Sequence, residues 1–306
     1  MIVNPAISIA NKLGFKYKFI LLASMFYVPL LACILWIVNN QINNITQYDK
    51  QLQGFAVVKQ LGMIEQDIAA VRQSGRQHQQ VEQALITIAS SIESHRSLFE
   101  PAIAQANNLR THWQENGQHI SPSALDKYDE FYRQTLALRE NISALSGLVR
   151  ENDAIAFYLS ELSVHRFPAF IEYLARFQSV TQVVIEQGFS AESYTLIVAL
   201  DKRIDEVQLQ LKKSNEQLKR VAPQHSTLVN RIEEFSSEVE KYQRHIRGQV
   251  IDPDDIQLSA SQARQLASAV SEQITVLSMG VQTALQARLQ QLKNDNQTAL
   301  LVLIVV

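Results

Sequence analysis

Residues 19–38, FILLASMFYVPLLACILWIV, run for twenty positions without a charge. At ~1.5 Å of rise per residue they make a helix of roughly 30 Å, the thickness of a bilayer's hydrocarbon core. The run exceeds the roughly 7–15 residues of a signal-peptide core, and no small-x-small cleavage site follows it, so it is expected to stay as an anchor. Lys12, Lys16 and Lys18 precede it, whereas the first basic residue after it is Lys50. The positive-inside rule then places residues 1–18 in the cytoplasm. Pro29 lies mid-span, where a local kink is expected.

A second apolar run, ALLVLIVV at 299–306, closes the sequence. It is shorter than the roughly 20 residues needed to cross a bilayer, so it reads as the start of a second transmembrane helix. The chain is accordingly expected to continue past Val306. Residues 39–298 between the two runs are expected to form one periplasmic helical domain.

That domain shows helical periodicity throughout and nothing that reads as a strand. Leu61, Ile64, Ile68 and Val71 follow 3/4 spacing, and so do Val81, Leu85, Ile88, Ile92, His95 and Phe99. Further stripes run Leu138–Ile142–Leu145–Val149, Ile197–Leu200–Ile204–Val207–Leu211, and Leu228–Ile232–Phe235–Val239–Tyr242–Ile246. Ser74-Gly75 is expected to weaken its helix without necessarily ending it; breaks are expected around Pro101 to Gly117, at Gly188 and at Pro223, with a turn and helix start at Asp252-Pro253. Ser121-Pro122 reads as a helix start, and Ser190 and Ser193 as caps. The last helix, 259–296, runs into the second apolar run without a breaker. Single-stripe helices need partners. The expected fold is all-α: long antiparallel helices forming one or two stacked bundles, membrane-anchored at both ends.

With 306 residues and a net charge of −2, and no basic cluster interleaved with aromatics, the chain is not expected to bind nucleic acid. The single cysteine, Cys33, lies in the apolar run, which leaves no intrachain disulfide. No HExxH, CxxC, GxSxG or phosphate-cradling glycine loop is present, so neither an enzyme, a metal site nor a cofactor is expected. Pairs such as Glu93 with His95 or His112 with His119 arise by chance among seven histidines, and His95 on its stripe reads as a core or interface residue.

Arg166 stands out more. Its stripe passes Leu162, Arg166, Ala169 and Tyr173, which puts a guanidinium where an apolar residue is expected, two positions before Pro168. A buried arginine must find a carboxylate partner in the chain or capture an anion. Pro168 removes a helical hydrogen bond at Val164 and predicts a kink there. Phe157, Tyr158, Phe167, Phe170, Tyr173 and Phe177 cluster around Arg166; Tyr158 and Tyr173 are the candidates to wall a pocket. Arg72 and Arg76, spaced i, i+4, are either a solvated face or a second place to hold an organic acid, between protomers.

Three stretches carry a resemblance: Phe15-Lys16-Tyr17-Lys18-Phe19 before the apolar run, Gln53-Gly54-Phe55 with the basic patch from Arg72 to Arg76, and residues 146–177. In the last, Ser146-Gly147-Leu148, Phe157-Tyr158-Leu159 and Arg166-Phe167-Pro168 align, while Glu151-Asn152 stands where an Asp-Pro turn belongs. The chain resembles the periplasmic input region of bacterial methyl-accepting chemotaxis transducers, of the large bimodular helical-bundle kind. The resemblance implies a homodimer in the inner membrane that senses a small periplasmic molecule, such as an organic acid, and signals by helix displacement. Its cytoplasmic signalling partners would act through a region beyond Val306. Such sensors also occur on diguanylate cyclases and sensor histidine kinases, which is the alternative output; a ligand-free membrane-anchored scaffold is a third reading.

Overall fold

The computed structural model describes residues 14–74, 78–117 and 125–305, and every element among them is helical. In order these are α1 (Phe15–Ser74), α2 (His78–Ser94), α3 (Arg96–Asn116), α4 (Leu125–Ser146) and α5 (Ala154–Glu161). A π-turn (Leu162–Arg166) leads into α6 (Phe167–Gln187), followed by α7 (Ala191–Val221), a 3-10 turn (Pro223–His225) and α8 (Ser226–Ile246). A second π-turn (Arg247–Ile251) precedes α9 (Ala260–Val305). The chain divides into two compact units, residues 1–48 with 291–306, and residues 49–290; α1 and α9 contribute to both.

In the first unit the apolar side chains of α1 point outward, with Phe19, Phe26 and Trp36 about two-thirds exposed or more (67%, 71% and 70%). Water disfavours such a surface and lipid does not. Among the described residues α1 is the one helix long and apolar enough to cross a membrane. Pro29 lies inside it without ending it. Asn44 Nδ2 donates to Asn296 Oδ1 at 3.2 Å, joining α1 to α9.

In the second unit α2 pairs lengthwise with α3, α3 with α4, and α7 with α8, each pair antiparallel. Gln114 of α3 donates to Glu82 of α2, Asn141 of α4 to Gln105 of α3, and Asn215 of α7 to the carbonyl of Val229 on α8. The heptad-like stripes are the buried faces: Leu61, Ile64, Leu85, Ile88, Ile204, Leu211, Ile232 and Val239 are all sealed from solvent. Each buried Leu or Ile contributes about 1.5–3 kcal/mol, which is what makes helices of weak intrinsic stability persist.

Several boundaries fall where the residues indicate. Ser190 and Ser193 form a capping box at the start of α7, each side chain accepting the other's backbone N–H at 3.0 and 2.8 Å. Pro223 follows the end of α7. Others differ. The stripe from Val81 to Phe99 does not sit on one helix, because the chain turns back at His95, whose φ of −114° and ψ of 38° leave the helical region. Asn107-Asn108 lies inside α3 without breaking it, whereas the backbone does leave helical geometry at Phe99 (φ −112°, ψ 16°), two residues before Pro101. No helix starts at Asp252-Pro253; the last helix begins at Ala260, one residue from the expected 259, with Ser259 supplying the cap oxygen to Gln262 N. Gly75 and Ser121-Pro122 lie outside the described residues.

The turn from α4 to α5 replaces the missing Asp-Pro with side-chain bonds. Gly147, at φ 78°, ends α4 in the left-handed conformation, and Leu148 N reaches back to Ser143 O at 2.9 Å. Glu151 Oε1 accepts the backbone N–H of Asn152 and Asp153, and Asp153 caps α5 by accepting from Ala156 N. Arg288 of α9 then forks onto Asp153 at 3.0 and 2.6 Å, and this bonding holds the carboxyl below the usual carboxylate range. A depressed carboxylate stabilises the fold above its ordinary pKa near ~3.9, and that stabilisation is lost as pH falls through the lowered value. Asp153→Ala is expected to cost about 2 kcal/mol near neutral pH, from the lost cap and the stranded guanidinium. Urea denaturation at neutral and acid pH checks it: the gap between variant and native protein narrows in acid, and a pH-independent gap contradicts the assignment.

Candidate functional site

α5 and α6 are one helical rod interrupted by the π-turn, and the interruption has a local cause. Pro168 brings no N–H, so a regular helix here leaves a carbonyl without a donor. The chain widens instead: Phe167 N bonds to Leu162 O, five residues back. That shift moves the vacancy to Ser163 O, whose partner at the same spacing is Pro168 itself. Arg139 of α4 fills it, Nη1 donating to Ser163 O at 3.2 Å. Tyr132, a turn or two earlier on α4, donates its hydroxyl to Pro168 O at 2.9 Å. The kink expected at Pro168 is therefore a π-turn ending two residues before it.

Arg139 is itself neutralised by Glu65 of α1. Nε and Nη2 lie 3.0 and 2.7 Å from the two carboxylate oxygens, and both side chains are 1% exposed. Burial pushes the Glu65 carboxyl above its ordinary range even against the adjoining guanidinium. Gly62 makes room for the pair, since a Cβ there would sit 3.2 Å from Arg139 Nη2 and 3.0 Å from Gln282 Nε2 of α9. One polar node thus touches α1, α4, the π-turn and α9.

The other side of the π-turn faces an open groove of about 360 Å³ between the α6 and α7 hairpin arms. His165, Arg166, Glu172 and Tyr173 line one wall, Arg203 and Glu206 the other. The Arg203 guanidinium lies 5.0 Å from the centre of the Tyr173 ring, a cation–π distance, and pairs with Glu206 at 2.5 Å. Burial lowers the His165 pKa, so the ring is neutral near pH 7 and offers one donor and one acceptor. Arg166 pairs with Glu161, its Nε 3.1 Å from Oε1. The groove therefore offers charges of both signs, a phenol and a neutral imidazole. Those are groups for binding a small polar molecule.

Of the residues singled out from the sequence, the structure brings Arg166 and Tyr173 together in this groove. Tyr158 is not among its lining; it is half-buried and meets Phe157 edge-on at 5.1 Å. Arg76, and the side chain of Arg72, lie outside the described residues. Arg166 is 31% exposed and not sunk in an apolar slot, because the π-turn adds a residue and rotates the stripe that regular spacing drew through it. Phe167, Phe170 and Phe177 are core, the last two packing on Phe235 and Tyr242 of α8. Arg203, His165 and the Glu65–Arg139 pair belong to no motif of the sequence. One signal for the pair was present: Gly54 and Gly62, eight residues apart, lie on one face of α1. Gly54 packs on Ser146, and Gln51 beside it donates to Gly147 O at 3.2 Å.

Among the described residues no three His, Cys, Asp or Glu side chains gather as metal ligands. Compared with family models, curated proteins and solved structures, the chain has no significant match in any of the three.

Proposed function

We propose that this chain is the input region of a membrane-anchored receptor, akin to the sensor half of a chemotaxis transducer, and that it reports a small periplasmic molecule across the inner membrane. The observation that carries the reading is α1: one unbroken helix, Phe15–Ser74, joins an apolar segment of membrane-spanning length to the packing face of Gly54, Gly62 and Glu65. The motif pairing supports it, since Gly54 and the Ser146-Gly147-Leu148 stretch that carry the resemblance lie against each other. In this reading α9 leads into a second membrane segment at 299–306 and residues 39–298 are periplasmic. The protein works as a homodimer without catalysis, and its cytoplasmic partners act through residues beyond Val306.

The ligand site in this proposal is the groove of Arg166, Tyr173 and Arg203, and a carboxylate-bearing molecule suits the two guanidinium forks. The test is thermal denaturation of the full chain in nanodiscs against organic acids, amino acids and amines. At least one member is expected to raise the melting temperature in the native chain, by about 2.7 kcal/mol of stabilisation at a hundredfold excess over Kd. Arg166→Ala is expected to abolish that shift. An unchanged shift in the variant removes Arg166 from the site, and a flat response across the panel removes the groove.

A further inference from the structure

The Glu161–Arg166 pair spans the π-turn from its first flank to its last residue. In a regular α-helix residues five apart point about 140° away from each other and such a pair does not close. The wider π-turn brings them onto one face. The ion pair is therefore specific to the widened form and clamps it from the groove side. From the opposite side Arg139 holds the same turn through Ser163 O, and Arg139 is bound in turn to Glu65 of α1. The turn thus has a groove-facing clamp and a core-facing clamp, and the core-facing one belongs to the helix that carries the apolar segment.

We propose that the π-turn is the element that reads the groove: an anionic ligand group that takes Arg166 from Glu161 releases one clamp, and the change reaches α1 through Arg139 and Glu65. This rests on the groove being the ligand site. The physics is a competition between two carboxylates for one guanidinium, coupled to a short segment that has two ways of satisfying its backbone. A π-turn next to a proline meets that requirement, because shifting its position only changes which carbonyl lacks a helical donor. A coupling of this kind needs a discrete two-state segment biased from both sides, not a continuous deformation.

The experiment needs no ligand, since Glu161→Gln imitates the release of Arg166. Hydrogen–deuterium exchange is followed on the full chain in nanodiscs for the native protein, E161Q, E206Q and E65L/R139M. E161Q is expected to speed exchange about tenfold at residues 162–167 and, through the node, at 62–66 of α1. E206Q, which breaks an ion pair on the facing wall of the groove, is expected to leave both segments unchanged. In the E65L/R139M background, adding E161Q is expected to leave 62–66 unchanged. Exchange that rises only at 162–167 overturns the transmission to α1, and exchange that rises nowhere overturns the clamp. Should E206Q act on 62–66 as E161Q does, the effect is general loosening and the proposal fails. If E161Q acts as expected but the native chain responds to no organic acid, amino acid or amine in exchange or melting, the groove as ligand site is what fails, and the coupling stands.

Discussion

Arg139→Met alone should cost about 3–5 kcal/mol of unfolding free energy, the largest loss expected from any single substitution considered for this protein. The reason is what it leaves behind. Glu65 is 1% exposed and has Arg139 as its bidentate partner, so removing the guanidinium strands a carboxylate in the core. It also strands Ser163 O, whose helical donor is missing because Pro168 has no N–H. The double variant Glu65→Leu/Arg139→Met removes both charges together and should recover most of the loss. A residual of about 1–3 kcal/mol should remain for the unpaired Ser163 carbonyl. Urea denaturation of the full chain in detergent, followed by circular dichroism, measures both. A double variant as unstable as the single would show that the stranded charge is not the main cost. Adding Pro168→Ala to the double variant restores an N–H to the turn and should reduce the residual; no change on that addition would mean that Ser163 O is satisfied some other way.

Gly54→Val should cost about 3 kcal/mol, and Gly54→Ala about 1–3 kcal/mol, by overpacking the contact between α1 and α4. A Cβ on residue 54 would fall 2.2 Å from both Cβ and Oγ of Ser146, closer than any two such atoms sit. The obstacle is not the tip of a flexible side chain that can swing aside. Ser146 Cβ is fixed to the end of α4, and its hydroxyl is bonded back to Ile142 O at 2.8 Å. The helices must therefore separate, and Gln51 loses its bond to Gly147 O as they do. Gly54→Ala combined with Ser146→Gly replaces one Cβ by the other and should restore much of the lost stability, less the cost of about 1 kcal/mol for glycine near a helix end. Thermal denaturation of the four proteins reads this directly. If Ala is tolerated at 54 without loss, the close approach of α1 and α4 is wrong.

The helices and their buried faces were legible because each rests on a local rule. Leu61, Ile64 and Ile68, or Ile232, Phe235 and Val239, recur at helical spacing, and all of them are in the core. Ser190 with Ser193 is a capping box written three residues apart. The reversal at His95 was not legible, since no Gly or Pro stands at it; the second departure from helical geometry, at Phe99, lies two residues before Pro101, which did mark it. The candidate site was half legible. Arg166 and Tyr173 were marked by an arginine on an apolar stripe beside a proline. Arg203 and His165 carried no comparable mark, because a polar or charged residue beside a stripe is the usual pattern of a solvated face.

By itself the sequence determined the all-helical class, the apolar segment at 19–38, several helix boundaries and the identity of the core faces. These follow from composition and periodicity within a turn or two of chain, where the physics is local. Only the tertiary structure decided that Glu65 meets Arg139 across 74 positions, and that the guanidinium answers a carbonyl vacated by Pro168. It also decided that Arg166 faces a groove with Arg203 and does not sit in the core. A charge flanking an apolar stripe is ambiguous until its neighbour is known, and the neighbour is set by packing between helices far apart in the chain.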